Sequence, residues 1–353
     1  VSGLADRYDA FFFDLDGTLF RGSTALPGAP EAVAAVQSDK RVVFLTNNGS
    51  RNAGQVADHL SELGFGAAPS DVVTSGQAAA AMAADRLAPG SPVLVVGTEA
   101  LAGQVTESGL TLTPRGEGAQ AVVQGHSPTT GWALLAEACL AIRAGALWVA
   151  CNLDATLPDE RGELPGNGAM VAALAVATGE HPLVAGKPEP GLFEEAVRRT
   201  GARRPLMVGD RLGTDIAGAN AAGLASLLVL TGVSDPSAAL TAAAPHRPRY
   251  IGADLAALHA DDPDRLGVAV QAPWRARREG GELVLGVDAG PGGADPDPIA
   301  ALRTLCAVHW DAGGGQVRVR ADGAVAARAV AALRLSGALG AGPAEKSASV
   351  GER

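Results

Sequence analysis

Short apolar runs punctuate the first two thirds of the chain, and stretches with helical spacing lie between them. "AFFF" (Ala10 to Phe13) is followed by a helical pattern from Ala29 to Gln37. "VVFLT" (Val42 to Thr46) is followed by another from Ala53 to Leu63. "PVLVVG", "AVVQG", "LWVAC", "LVAG", "PLMVGD" and "SLLVL" come later, separated by alanine-rich helical segments. Runs of Val, Leu and Phe without polar alternation suit strands covered on both faces. Strand–helix alternation of this kind predicts an α/β fold around a doubly wound, Rossmann-like parallel sheet. In such sheets the working residues stand just beyond the carboxyl ends of the strands. The polar residues that follow the apolar runs are Asp14 and Asp16, Thr46-Asn47-Asn48, Lys187 and Asp210. The pattern places them along the rim of the sheet.

The texture changes near Gly267. "LGVAVQ" and "GELVLGVD" read as a hairpin, "DPIAALRTLCAVHWD" as a helix, "QVRVRAD" as a strand and "AVAARAVAALRLS" as a second helix. The preceding "HADDPDR" reads as a linker, and residues 341–353 have the composition of a flexible tail. These signals predict a small α+β module over residues 267–340. Its size and strand–helix order suit a degenerate acyltransferase-like fold, and a role in oligomerisation or regulation is equally open. The glycine-rich "DAGGGQ" lacks the rest of any phosphate-loop signature and is read as a turn.

Asp14 and Asp16 stand two residues apart, so in extended chain both carboxylates share one side. Gly17 permits the sharp turn that must follow. Two carboxylates at fixed spacing can divide the labour, one as nucleophile and metal ligand, the other as general acid and base. "DLDG" alone also fits an ordinary polar turn. The other strand ends weigh against that. Thr46 offers a hydroxyl to a phosphoryl oxygen, although "TNNGS" by itself fits a turn or helix cap. Lys187 precedes Pro188, which bars it from a regular helix interior. Asp210 ends one apolar run, and Asp215 lies in the first turns of the next helix, where the helix dipole also favours an acid.

Composition narrows the picture. A length of 353 residues implies two or three domains. A net charge of −10 argues against nucleic acid or an anionic membrane as partner, and requires local positive charge if the ligand is an anion. No apolar run reaches the length of a membrane span, and no signal segment is evident at the first residues. Three cysteines, Cys139, Cys151 and Cys306, lack metal-ligand spacing and suit free thiols in the cytoplasm.

"DLDGT", "LTNN", the lysine of "GKPEP" and "GDRLGTD" resemble, in order, the four motifs of the haloacid-dehalogenase-like phosphohydrolases. The long segment between the second and third motifs resembles the subgroup with a large inserted α/β cap. That resemblance implies a core at 1–75 and 186–260, with the cap at 76–185. With the C-terminal module included, the pattern resembles actinobacterial glycerol 3-phosphate phosphatases. By this likeness Asp14 is the nucleophile that forms an aspartyl-phosphate, and Asp16 is the acid and base. Mg²⁺ is held by Asp14, the Asp16 carbonyl and Asp210, with Asp215 acting through metal-bound water or by orienting Lys187. Thr46 and Lys187 hold the phosphoryl oxygens, with Asn47 and Asn48 beside them. The leaving group must then be read by the cap, where Asn152 and Asp154 in "CNLDATLPDERGELPGNGAM" are the candidates and His126 a weaker one. Relatives carry Asn-Pro-Asp where this chain has Asn152-Leu153-Asp154. The scarcity of aromatic residues there favours a small polyol phosphate over pyridoxal phosphate or a nucleotide, with 2-phosphoglycolate as the alternative. A non-catalytic metabolite sensor is the reading from another class, and homo-oligomer formation is left open.

Overall fold

The computed structural model describes residues 3–159, 161–288 and 296–339. The expected tail at 341–353 lies outside the described residues. The chain forms two compact units. Among described residues, one comprises 3–42, 63–65 and 202–339, the other 43–62 and 66–201.

In the first unit, strands Tyr250–Gly252, Ala225–Val229, Pro205–Gly209 and Ala10–Phe13 lie side by side in that order, all parallel. Every residue of Ala10–Phe13 and Pro205–Gly209 is buried, as unalternating apolar runs require. Asp14 follows the end of one and Asp210 the end of the other. Helix Ala29–Gln37 opens after Gly28, whose φ of 74° is left-handed, and carries Pro30 in its first turn.

The C-terminal module belongs to this unit. Its sheet runs Trp274–Glu279, Glu282–Val287, Val317–Ala321, Ala338–Leu339, with antiparallel, parallel and antiparallel pairings. Helices Pro298–Asp311 and Ala324–Ala332 match the expected ones. The hairpin differs from expectation, because its first strand is "WRARRE" and not "LGVAVQ". Gly280 and Gly281 both have positive φ (58° and 85°) and form a two-residue turn, which pairs Glu279 with Glu282 and sets the register outward from there. Gln271, at the end of "LGVAVQ", instead donates its amide to the Arg265 and Gly267 carbonyls.

The module shares one apolar core with the parallel sheet. Leu228, Leu240 and Ile251 pack in the same cluster as Trp274, Leu285, Leu302 and Leu305. Buried Arg303 donates from Nε to the Ile251 carbonyl at 2.7 Å, and Trp310 Nε1 to the Leu240 carbonyl at 3.0 Å. The stretch read as a linker is itself tied down. His259 Nε2 lies 3.0 Å from the Ala32 carbonyl, Arg7 pairs with Asp264 at 2.7 Å, and Pro263 and Leu266 are buried.

In the second unit, Arg41–Thr46 pairs in parallel with Val72–Thr74. A five-stranded parallel sheet runs Leu183–Val184, Leu147–Ala150, Ala121–Gln124, Pro92–Val96, Thr111–Leu112. The strand before Lys187 is therefore the edge of this sheet, where the sequence reading placed it on a common rim with the Asp14 strand. Strands Thr156–Asp159 and Gly162–Pro165 pair antiparallel. No helix among the described residues is long and apolar enough to cross a membrane.

Candidate active site

The first unit gathers three of its four candidate carboxylates. One oxygen each from Asp14, Asp210 and Asp215 lies within 4.8 Å of the others, with Asp210 and Asp215 fully buried and Asp14 half-buried. Asp14 is anchored through its own N–H to the Val208 carbonyl at 2.9 Å, so the position depends on the pairing of the two central strands. Asp210 Oδ2 accepts from the Val233 N–H at 2.7 Å, and Oδ1 lies 3.5 Å from the Thr18 hydroxyl. Two glycines make room for it. A Cβ on Gly17 would stand 2.5 Å from Asp210 Oδ2, and one on Gly232 would clash with the same atom.

Asp215 sits in a π-helical turn, Leu212–Ile216, and not in a regular first helical turn. The wider turn directs its side chain back so that Oδ2 accepts from the Arg211 N–H at 3.0 Å. Such turns frequently mark functional positions. Asp16 stands apart from the cluster. It is exposed, on a loop closed by Gly17 N–H to the Phe20 carbonyl at 2.8 Å, with Gly17 at φ 86°. That placement leaves its side chain open to a substrate while Asp14 is held. The Thr231 hydroxyl secures the loop by donating to the Gly17 carbonyl at 2.7 Å.

Three carboxylates converging in a largely water-free site repel one another, and hard oxygen donors at this separation suit a small divalent cation such as Mg²⁺. The residues present fit the ion that the motifs imply.

The second unit gathers the other candidates. Thr46 ends its strand, is 9% exposed, and its hydroxyl accepts from the Asn48 N–H at 3.1 Å. Asn47 and Lys187 are clamped reciprocally. Asn47 Nδ2 donates to the Lys187 carbonyl at 2.9 Å, and the Lys187 N–H donates to Asn47 Oδ1 at 2.8 Å. Gly186 permits this approach, since a Cβ there would stand 2.7 Å from Asn47 Oδ1. Lys187 is 3% exposed, which is unusual for a lysine and marks it as more than solvated surface. Asn152 Nδ2 donates to the Asn47 carbonyl at 2.7 Å, as does the Ser75 hydroxyl at 2.6 Å. Asn48 is exposed, and its Oδ1 accepts from the Ser50 N–H and hydroxyl. Asp154 is exposed and its N–H donates to Asn152 Oδ1 at 3.2 Å.

Asn47 and Asn152 thus have amide groups committed to the protein itself, as braces for the Lys187 segment. Cys151, beside them, is fully buried, and burial pushes its thiol up to about 12, so it is no thiolate nucleophile at neutral pH. Sequence reasoning missed Thr18, Thr231, Gly232, Val233 and Ser234, which surround Asp210 and its loop. Their signal was present, since "TGVS" follows the apolar run "SLLVL" as the polar tripeptides follow the others.

Comparison with known proteins agrees with these motifs. Residues 11–111 match the haloacid dehalogenase-like hydrolase profile, 184–258 a HAD-hydrolase-like profile, and 271–335 a GCN5-related N-acetyltransferase-like domain. The D-glycerol 3-phosphate phosphatase of Mycobacterium tuberculosis is 51% identical over 326 residues, covering 91% of both chains. A 5′-nucleotidase of Bacillus subtilis is 40% identical over 231 residues, covering 64% of this chain and 89% of that one. The crystal structure of a glycerol phosphate phosphatase from Mycobacterium tuberculosis in complex with magnesium superposes with a TM-score of 0.88 at 49% identity, covering 95% of this chain and 99% of that one. With this extent of identity and the motif residues in place, the chain belongs to the haloacid dehalogenase-like hydrolases.

Proposed function

We propose that the protein is a Mg²⁺-dependent phosphatase of small phosphate monoesters and that glycerol 3-phosphate is its substrate. The observation that carries this reading is the cluster of Asp14, Asp210 and Asp215, with Asp16 exposed two residues beyond Asp14. Asp14 attacks phosphorus, the ester P–O bond breaks, and Asp16 delivers a proton to the departing alkoxide. Asp16 then takes a proton from water, which attacks the aspartyl-phosphate and regenerates Asp14. Thr46 and Lys187 hold phosphoryl oxygens, and the ammonium offsets the repulsion between carboxylate and phosphate. Asp14, Asp210 and the Asp16 carbonyl would hold Mg²⁺, with Asp215 acting through metal-bound water or by orienting Lys187, and the ion would supply the remaining charge neutralisation. Asn47 and Asn152 position Lys187, while Asn48 and Asp154 remain the exposed candidates for substrate contact.

The same reading assigns residues 76–185 as cap. Its support is the five-stranded sheet, whose strands run from Pro92 to Val184. A cytoplasmic location without nucleic-acid partners rests on the acidic charge and the free cysteines.

A substrate panel tests the proposal. kcat/KM for glycerol 3-phosphate, 2-phosphoglycolate, pyridoxal phosphate and mononucleotides is compared with and without Mg²⁺. Glycerol 3-phosphate should lead. A tenfold lead by a mononucleotide, the activity named for the Bacillus relative, would overturn the polyol assignment. Loss of all Mg²⁺-dependent hydrolysis would overturn the enzyme reading.

A further inference from the structure

Parallel strands have two ends, and the carboxylates occupy only one. At the other end of these parallel strands, the residues that lead into them form a pocket of about 610 Å³. Arg7 and Tyr8 precede strand Ala10–Phe13, Arg203 and Arg204 precede Pro205–Gly209, and Arg249 and Tyr250 open Tyr250–Gly252. Its lining has four arginines and one carboxylate, Asp6, in a chain with 28 basic and 38 acidic residues.

The nearby acids are accounted for. Asp6 accepts from the Gly3 N–H at 2.8 Å. Asp264 pairs with Arg7. Asp9 accepts from the backbone N–H groups of Arg203 and Arg204 at 2.9 and 3.0 Å, which fixes that turn and leaves both guanidinium groups out of the bonding. Burial works against the Asp9 charge, but these N–H groups outweigh it and hold its carboxyl below the usual range, so it stays an anchor. Among the described residues neither Arg203 nor Arg204 makes a side-chain hydrogen bond or ion pair with a carboxylate, although the Arg204 charge helps hold the Asp9 carboxyl down. Among the described residues Arg249 donates from Nε to the Tyr250 hydroxyl, at 3.1 Å, and its guanidinium lies 5.5 Å from the centre of that ring. The Tyr8 hydroxyl lies 3.1 Å from that of Tyr250, and both rings are buried, so they form a rigid floor.

We propose that this pocket is a second anion site, distinct from the catalytic centre, and that it takes a phosphate-bearing ligand, for which inorganic triphosphate serves as the probe. Planar guanidinium groups match phosphate oxygens two at a time. Three guanidiniums free of carboxylate ion pairs offer enough donors to surround the oxygens of a phosphate group, and the volume suits a metabolite. Buried Tyr rings leave no face for stacking a base, so the recognised part is the phosphate. A ligand bound there touches the starts of the strands whose ends carry Asp14 and Asp210.

Isothermal titration of the full chain with inorganic triphosphate, in EDTA and 0.15 M monovalent salt, tests the site. Wild type should bind one equivalent. Lys187→Ala should bind equally well, because the catalytic groups are not involved. Arg203→Ala/Arg204→Ala should weaken binding at least about tenfold, and Arg203→Lys/Arg204→Lys by less. Arg249→Ala gives an independent arm and decides the matter should the double variant fail to fold. Absence of saturable binding, loss of binding in Lys187→Ala, or indifference to every arginine variant that folds would overturn the proposal.

Discussion

The parallel sheet and the C-terminal module share one apolar core and handle charge in opposite ways. The sheet buries Asp210 completely and aims it, with Asp215, at Asp14. The module keeps its charges on an outer face. There Arg320 meets Glu279 and Glu282 at 2.9 and 3.2 Å, and Arg277 meets Glu279 and Asp322 at 3.2 and 3.3 Å, all at or near the surface. Exposed pairs of this kind contribute about 0–1 kcal/mol each. The exceptions in the module, Arg303 and His309, are buried and serve its packing. Charge withdrawn from water therefore marks either the candidate site or a junction here, whereas the module's exposed pairs mark neither.

The strongest break in this contrast is Asp14→Asn. An amide cannot form an acyl phosphate, so phosphate release should vanish for every ester while the circular-dichroism melt stays cooperative. Measurable turnover above trace contamination would remove Asp14 from its assigned role.

Asp16→Asn should be less uniform. With glycerol 3-phosphate the first step should slow by roughly 10²–10⁴-fold, the usual worth of general acid catalysis. Nitrophenyl phosphate needs no proton on its leaving group. Rapid mixing should then show a nitrophenolate burst near one equivalent followed by slow turnover. Wild-type turnover of glycerol 3-phosphate would count against the assignment.

Arg303→Ala sharpens the contrast from the other side. It removes a charged donor from the Ile251 carbonyl and should cost about 1.5–3 kcal/mol in urea unfolding. Arg320→Ala, on the exposed face, should cost less than about 1 kcal/mol. Equal costs would mean that burial does not separate the two classes.

The smallest effect belongs to His309. An oxygen can only accept, so contact with the Gly315 carbonyl at 3.0 Å places its proton on Nε2, and Nδ1 is buried without a partner. Desolvation lowers its pKa below the ordinary 6.5, with Arg278 and Arg247 acting the same way and the Gly315 carbonyl opposing. The unfolded chain therefore takes up a proton that the folded chain refuses. Stability present above pH 6.5 should be lost as pH falls through that value toward the folded pKa, by at most about 1.4 kcal/mol per pH unit. The difference between wild type and His309→Gln in urea, measured at pH 7.5 and 5.5, isolates this share. No change in that difference would sink it.

Asp215 was legible because it follows Asp210 in the same motif, and Asp14, Asp16 and Asp210 because they stand at the end of unalternating apolar runs, a local pattern that needs no knowledge of neighbours. The helices at Pro298–Asp311 and Ala324–Ala332 were legible for the same reason. The hairpin of the module was found but misplaced, because its register depends on where two glycines turn the chain and not on which residues are apolar. Asn47 was read as a substrate contact. In the structure its side chain also bonds the Lys187 backbone, 140 positions away, and no spacing rule reaches that far.

The sequence by itself determined the types of the candidate residues, their order, and the strand-end positions of Asp14, Thr46 and Asp210, since side-chain periodicity and the chemistry of adjacent residues are local properties. Tertiary structure alone decided which sheet the Leu183–Val184 strand joins, which glycines make room for Asp210, that a π-helical turn aims Asp215, and that four arginines from three segments meet at the amino ends of the strands. Each of those depends on pairing and packing between residues far apart in the chain, and the free energy that selects one partner over another exists only once the core has formed.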